Sequence, residues 1–150
     1  MTCNLDWELA GDVKISEGRP VLPDIPAIPG LYRLQIRNGW WYFGESQNLR
    51  RRLSDYVQPG EGVESEHRLY YALIEGGGAT LELLTSGDLS TKSSRCAIEF
   101  SEIKRARSEG EKLLNGIGRG ASFPVKMSIK YHEAALEKLR SQLAKLSGQE

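Results

Sequence analysis

From Tyr32 to Ile36 apolar and polar residues alternate with the period of a half-buried strand, and beyond Gly44 the apolar spacing changes to four. Asn38-Gly39, a strong hairpin-turn pair, separates the first run from a second one rich in aromatics, Trp40 to Phe43. A two-residue turn there would pair Arg37 with Trp40 and send Tyr32 and Tyr42 to opposite faces. A three-residue loop, with Gly39 in the left-handed conformation of a bulge, pairs Ile36 with Trp40 and brings both tyrosines to one face. After Gly44 the spacing predicts a helix over 46–57, closed by Pro59-Gly60. On it Leu49 and Leu53 lie four apart, and Arg52 and Tyr56 form a second such pair on a neighbouring face.

The same reading extends along the rest of the chain. Residues 64–75 predict a second helix with Leu69, Tyr70, Leu73 and Ile74 inward, stopped by Gly76-Gly77-Gly78, and 79–85 alternates as a strand. A long helix is expected from about Ser90, where serines and threonines offer caps, to about Glu109. Cys96, Phe100, Ile103 and Arg107 share a stripe on it, with Glu99 at the stripe's edge beside Ala106. The last helix, about 128–147, repeats Ile129, His132, Leu136, Leu139, Leu143 and Leu146 at spacings of three and four. This short heptad seam either packs back on the parent domain or contacts a second copy of the chain, and the spacing does not decide between them.

Ahead of the hairpin, Pro20, Pro23, Pro26 and Pro29 rule out a long helix and predict an extended arm over residues 1–29, with strand character at Val13 to Ile15, laid over a sheet edge. The expected division is therefore an arm over 1–29, a domain over 30–125 and a C-terminal amphipathic helix over 126–150. The domain reads as α/β, of the α+β kind: a small three-stranded mixed or antiparallel sheet flanked by helices.

Composition narrows this only a little. The chain has 150 residues, 39% hydrophobic and 27% charged, as in ordinary globular domains. No apolar run reaches a membrane span and no basic start leads into an apolar core, so a cytoplasmic location is expected. Cys3 and Cys96 form neither a disulfide framework nor a metal cluster; they read as a frayed-terminus thiol and a buried helix residue. The 20 basic and 20 acidic side chains balance, which argues against a general nucleic-acid coat. Their distribution is uneven, with five arginines against two acids over 30–56 and seven bases against three acids over 100–130. Two basic segments between acidic ones can make a local phosphate-attracting face. His67 reads as a surface or boundary histidine. Gly116, Gly118 and Gly120 lack the strand before and helix after that a phosphate loop needs.

Gly30-Leu31-Tyr32, then Tyr42-Phe43-Gly44, then Arg52 eight residues on and Tyr56 four after it resemble, in order, the signature of the GIY-YIG nuclease superfamily. The Leu-Arg-Arg-Arg-Leu-Ser-Asp-Tyr run is similar to that of the nuclease domain of bacterial nucleotide-excision-repair incision subunits. Ile98 to Lys104 resembles the family segment with a single metal-binding glutamate, which falls on Glu99, and Asn115 matches the family's later asparagine. The resemblance covers about residues 30–115.

It implies a DNA endonuclease. Tyr32 would activate or position the attacking water, Tyr42 and Tyr56 would orient water and phosphate, Arg52 would neutralise charge, and Glu99 would hold one magnesium or manganese ion. Because a free tyrosine has a pKa near 10, any base role for Tyr32 requires help from the arginine or from metal-linked waters. The chemistry needs Tyr32 and Tyr42 near one phosphate, which predicts the three-residue hairpin loop. Glu45 stands where members usually carry a small polar or basic residue, and a carboxylate there repels phosphate unless it binds metal or points away. No separate DNA-recognition module is evident, so action as a homodimer through the C-terminal helix, delivery by a protein partner and structure-selective nicking all remain open. The alternative is a catalytically weak nucleic-acid or protein binding module that keeps the fold.

Overall fold

The structure, a computed structural model, describes residues 5–59, 64–115, 125–146 and 148. In chain order these form β1 (Glu8–Ser16), β2 (Arg19–Val21), β3 (Gly30–Ile36), β4 (Trp41–Ser46), α1 (Leu49–Val57), α2 (Glu64–Gly76), β5 (Ala79–Leu84), α3 (Lys92–Ser108) and α4 (Val125–Leu146). The class is mixed α/β, with an antiparallel sheet in the order β2-β1-β5-β3-β4. Cys3, Gly60 and the 116–120 glycine run lie outside the described residues, as do the side chains of Ile129 and His132.

Five strands, not three, make the sheet, and the two additional ones come from the predicted arm. Its prolines are compatible with this because Pro20, the one inside a strand, sits on the short edge strand β2, where a missing N–H is tolerated. Glu17 and Gly18, with φ of 53° and 75°, form the two-residue turn joining β1 to β2. β1 then pairs with β5, covering what would be that strand's open edge.

The central hairpin takes the longer loop. Ile36 and Trp40 are joined by a 2.8 Å backbone hydrogen bond, and Gly39 has a φ of 98°. Gln35 therefore faces Trp41, Leu34 faces Tyr42 and Tyr32 faces Gly44, so Tyr32, Leu34, Tyr42 and Gly44 share one face of the sheet. The Tyr32 ring lies across Gly44: a β-carbon built there would fall within 2.1 Å of the phenol's Cζ and Oη. Only glycine leaves room for the ring.

On that face Tyr32, Leu34, Ile36, Ala79, Leu81 and Leu83 pack against Leu49, Leu53 and Tyr56 of α1 and Leu69, Ala72 and Leu73 of α2. Tyr70 and Ile74 are only half-buried, and their expected inward places go to Ala72 and Glu66. The opposite face holds Leu31 and Leu84 with Leu89, and Phe43 with Ala106 and Leu113, under α3. Here the expected stripe is wrong in phase. Ile103 of that stripe packs half-buried against Phe43, Ala106 and Leu113 and Cys96 is half-buried, but Phe100 is 70% exposed and Arg107 exposed, while Arg95, Glu102 and Ala106 are the buried residues. The helix turns its charges inward because each has a partner there. Trp7 Nε1 donates to Glu102 at 3.0 Å, and Arg105 Nε donates to the same carboxylate at 2.9 Å. α4 contacts α2, yet Leu136, Leu139, Leu143 and Leu146 are all exposed.

Candidate active site

Local chemistry at the end of β4 fixes where the helix residues fall. The Ser46 hydroxyl donates to the Asn48 carbonyl and accepts the Asn48 N–H, and the Asn48 side chain caps α1 by accepting from Arg51 N–H at 3.1 Å. The helix thus begins three residues after the hairpin ends, with Leu49 and Leu53 against the sheet. Tyr56, on the same side, points its phenol at the hairpin tyrosines.

The three hydroxyls meet. Tyr56 Oη lies 2.6 Å from Tyr32 Oη and 3.3 Å from Tyr42 Oη, so Tyr56 is the middle member of a chain of phenols. Arg52, one turn earlier on α1, sets its guanidinium 4.7 Å from the Tyr56 ring centre. Tyr32 and Tyr56 are fully buried, and Tyr42 is half-buried and is the phenol nearest solvent.

Two acids on Arg52 were not anticipated. Glu66 Oε2 accepts from Nη1 at 3.0 Å, its side chain only 10% exposed, and Asp55 lies at 3.7 Å. Glu66 is brought in from α2, and nothing in its local spacing singles it out. Burial alone works against the Arg52 cation, but the oxygens of Tyr56 and Tyr32 and the Glu66 carboxylate outweigh it and raise its pKa further.

The tyrosine pKa values move the other way from what a base needs. Burial first, then the neighbouring phenols, push Tyr32 and Tyr42 well above 10, with Arg52 only partly opposing. Both are therefore neutral donors or acceptors at neutral pH. Since the unfolded chain loses these protons near pH 10 and the folded one keeps them, stability contributed below pH 10 is lost as the pH rises beyond it. Tyr32→Phe is expected to flatten that alkaline decline, read from chemical denaturation at pH 9 to about 11.

The β4 edge accounts for the remaining site residues. Its outward N–H groups lie at Trp41, Phe43 and Glu45. Trp41 N–H donates to the Lys112 carbonyl at 2.8 Å. Phe43 N–H donates to Asn115 Oδ1 at 2.9 Å, and Asn115 Nδ2 returns a bond to the Phe43 carbonyl at 2.7 Å. Asn115 thus acts as a side-chain continuation of the sheet, with both its amide oxygen and its amide nitrogen bonded to the Phe43 backbone. The Glu45 N–H faces the Glu99 carboxylate, which it stabilises in part.

Glu99 is half-buried on α3, and its charge reaches the Tyr42 phenol. Burial, then the Glu45 carboxylate, raises its pKa. Among the described residues it has no basic partner, because Arg95, one turn earlier, is committed elsewhere. Arg95 is 4% exposed; its Nε donates to Glu45 Oε2 at 2.9 Å and its Nη1 to the Leu89 carbonyl at 2.9 Å. Glu45 therefore faces a buried guanidinium. An acid near the end of an otherwise uncharged strand is the sequence signal that a cation had to meet it.

Tyr32, Tyr42, Tyr56 and Arg52 are thus one cluster, Glu99 flanks it around the sheet edge, and Asn115 holds that edge. Compared with known proteins, the chain matches no family model, no curated protein and no solved structure.

Proposed function

We propose that the chain is a divalent-metal-dependent endonuclease that hydrolyses DNA phosphodiester bonds at a GIY-YIG-type site formed by Tyr32, Tyr42, Tyr56, Arg52 and Glu99. The observation that carries this reading is the meeting of three phenols from two strands and a helix beside one guanidinium. A hydrophobic core has no need of three converging hydroxyls, whereas a phosphate and its attacking water do.

In hydrolysis the water oxygen attacks phosphorus, the bond to the leaving oxygen breaks, and the water's proton passes to the leaving oxygen or to bulk water. With their pKa values raised, Tyr32 and Tyr42 serve as neutral hydrogen-bonding groups. Tyr42, nearest solvent, orients water or phosphate. Tyr56 transmits the position of the buried Tyr32 to it, and Arg52 neutralises charge developing on the phosphoryl oxygens. Glu99 suits a hard cation: it is an oxygen donor, half-buried, without a basic partner among the described residues. No group of three or more His, Cys, Asp or Glu side chains able to hold a metal occurs among those residues, so water and phosphate oxygens would complete the coordination. Magnesium or manganese there would supply Lewis-acid charge near the phosphate.

Two observations favour the second reading, a catalytically weak binding module. Arg52 is already neutralised by Glu66, and Tyr32 is sealed from solvent. Nicking of supercoiled plasmid separates the two. Wild type is expected to nick in magnesium or manganese and not in chelator, and Glu99→Gln is expected to lose about a hundredfold or more of that rate. Metal-independent cleavage, or cleavage untouched by Glu99→Gln, rules out the proposed site; binding with no cleavage of any duplex or branched substrate establishes the module.

A further inference from the structure

The inversion of α3 has a consequence on its outer surface. Both acids of the helix, Glu99 and Glu102, turn inward or to the flank, while Lys92, Lys104 and Arg107 are exposed. None of these three cations has an ion-pair partner among the described residues. Amid them stands Phe100, 70% exposed, an aromatic ring held in water where the helix had charged positions to offer instead. Leaving such a ring exposed forgoes the burial that normally places phenylalanine in a core.

At about 100° of turn per residue, Phe100 and Arg107 lie further round the helix on the same flank as Glu99, and Lys104 lies beyond them. An apolar ring and two unpaired cations therefore continue outward from the β4 edge, with Lys92 two turns earlier on the helix. This charge pattern is complementary to a phosphate backbone. The single flat ring between the cations fits a base face, and a base in a continuous duplex does not present one.

We propose that the outer face of α3 binds a single-stranded or unpaired stretch of nucleic acid, with Phe100 stacking on an exposed base and Lys104 and Arg107 holding the flanking phosphates. The inference rests on the proposed endonuclease reading only for the role of the neighbouring site; the binding surface stands on its own residues. It gives the chain a substrate preference for flaps, gaps or bubbles beside the scissile phosphate.

The test is fluorescence anisotropy of the full chain in chelator, with a labelled single strand, an abasic version of it and the duplex of the same sequence. Wild type is expected to prefer the single strand. Phe100→Ala should weaken that binding about tenfold, leave its salt dependence unchanged and bind the abasic strand as wild type does. Lys104→Gln and Arg107→Gln should each lower the slope of log affinity against log salt by about 0.7. These side chains are exposed, so the variants should unfold at the wild-type temperature. Unchanged single-strand binding by Phe100→Ala, a preference for duplex, or no binding to either strand form overturns the inference; the last outcome would leave α3 as a protein-facing surface. Binding of this kind without plasmid nicking retains the inference and removes the endonuclease reading. Metal-dependent nicking with Phe100→Ala indistinguishable from wild type does the reverse.

Discussion

Arg52→Ala is expected to lower the rate of metal-dependent plasmid nicking by about a hundredfold to a thousandfold while costing only about 1 to 2 kcal/mol of stability. The two effects have different origins. The rate effect comes from removing the guanidinium beside the phenols, the group to which the proposed site assigns the charge of a phosphoryl oxygen. The stability effect comes from Glu66, which keeps a largely buried carboxylate with its 3.0 Å partner gone. Full breakage of a buried pair costs about 3 to 5 kcal/mol, but the Arg52 side chain is 33% exposed and water reaches the site, so the smaller figure applies. Combining Arg52→Ala with Glu66→Gln removes the carboxylate that has lost its guanidinium. Thermal unfolding of the double variant should return close to wild type while nicking stays lost. Were the double variant to recover nicking as well, Arg52 would be a structural residue and the phosphate role would have to move elsewhere.

The acidic neighbours of Arg52 also mark where sequence reasoning stops. Everything decided by short-range pattern was legible. The resemblance asks for two tyrosines on one face and Gly39 permits the loop that puts them there, while Leu49 with Leu53 fixes the face of α1 that brings Tyr56 to them. Glu99 at the edge of α3 could be placed by angle alone, although the stripe it was measured against was misphased. Hydrophobic periodicity weighs each residue by its own transfer free energy. It cannot see that Arg95 has Glu45 to meet 50 positions earlier, or that Glu102 has the Trp7 indole 95 positions away. Such pairs make a charged face the buried one, and they overturned the expectation for Phe100. The N-terminal strands were missed for a related reason. Prolines read locally as breakers, and only the edge position of β2 makes Pro20 harmless. Asn115 was found by resemblance, but its bonds to both polar groups of the Phe43 backbone depend on a register between distant segments.

Breaking the Arg95–Glu45 pair should cost more stability than breaking Arg52–Glu66. Their side chains are 5% and 17% exposed, and Arg95→Ala leaves Glu45 charged in a space that water scarcely enters. It also orphans the Leu89 carbonyl. A loss of about 3 to 5 kcal/mol is expected, lowering the unfolding midpoint by roughly 10 °C, measured by chemical and thermal denaturation. Replacing both members, Arg95→Met with Glu45→Met, should recover most of it, because two apolar chains of similar length fill the space without a charge to desolvate. That stable double variant then exposes what the pair does for the site. Burial still raises the Glu99 pKa, but the second cause, repulsion from the Glu45 carboxylate, is gone, so Glu99 should ionise at lower pH than in the wild type. If nicking needs Glu99 ionised, the acid limb of its pH profile should move to lower pH in the double variant, with the alkaline side unmoved. An acid limb that stays in place would mean that Glu45 and Arg95 only hold the β4 edge together, and that Glu99 is not the group titrating there.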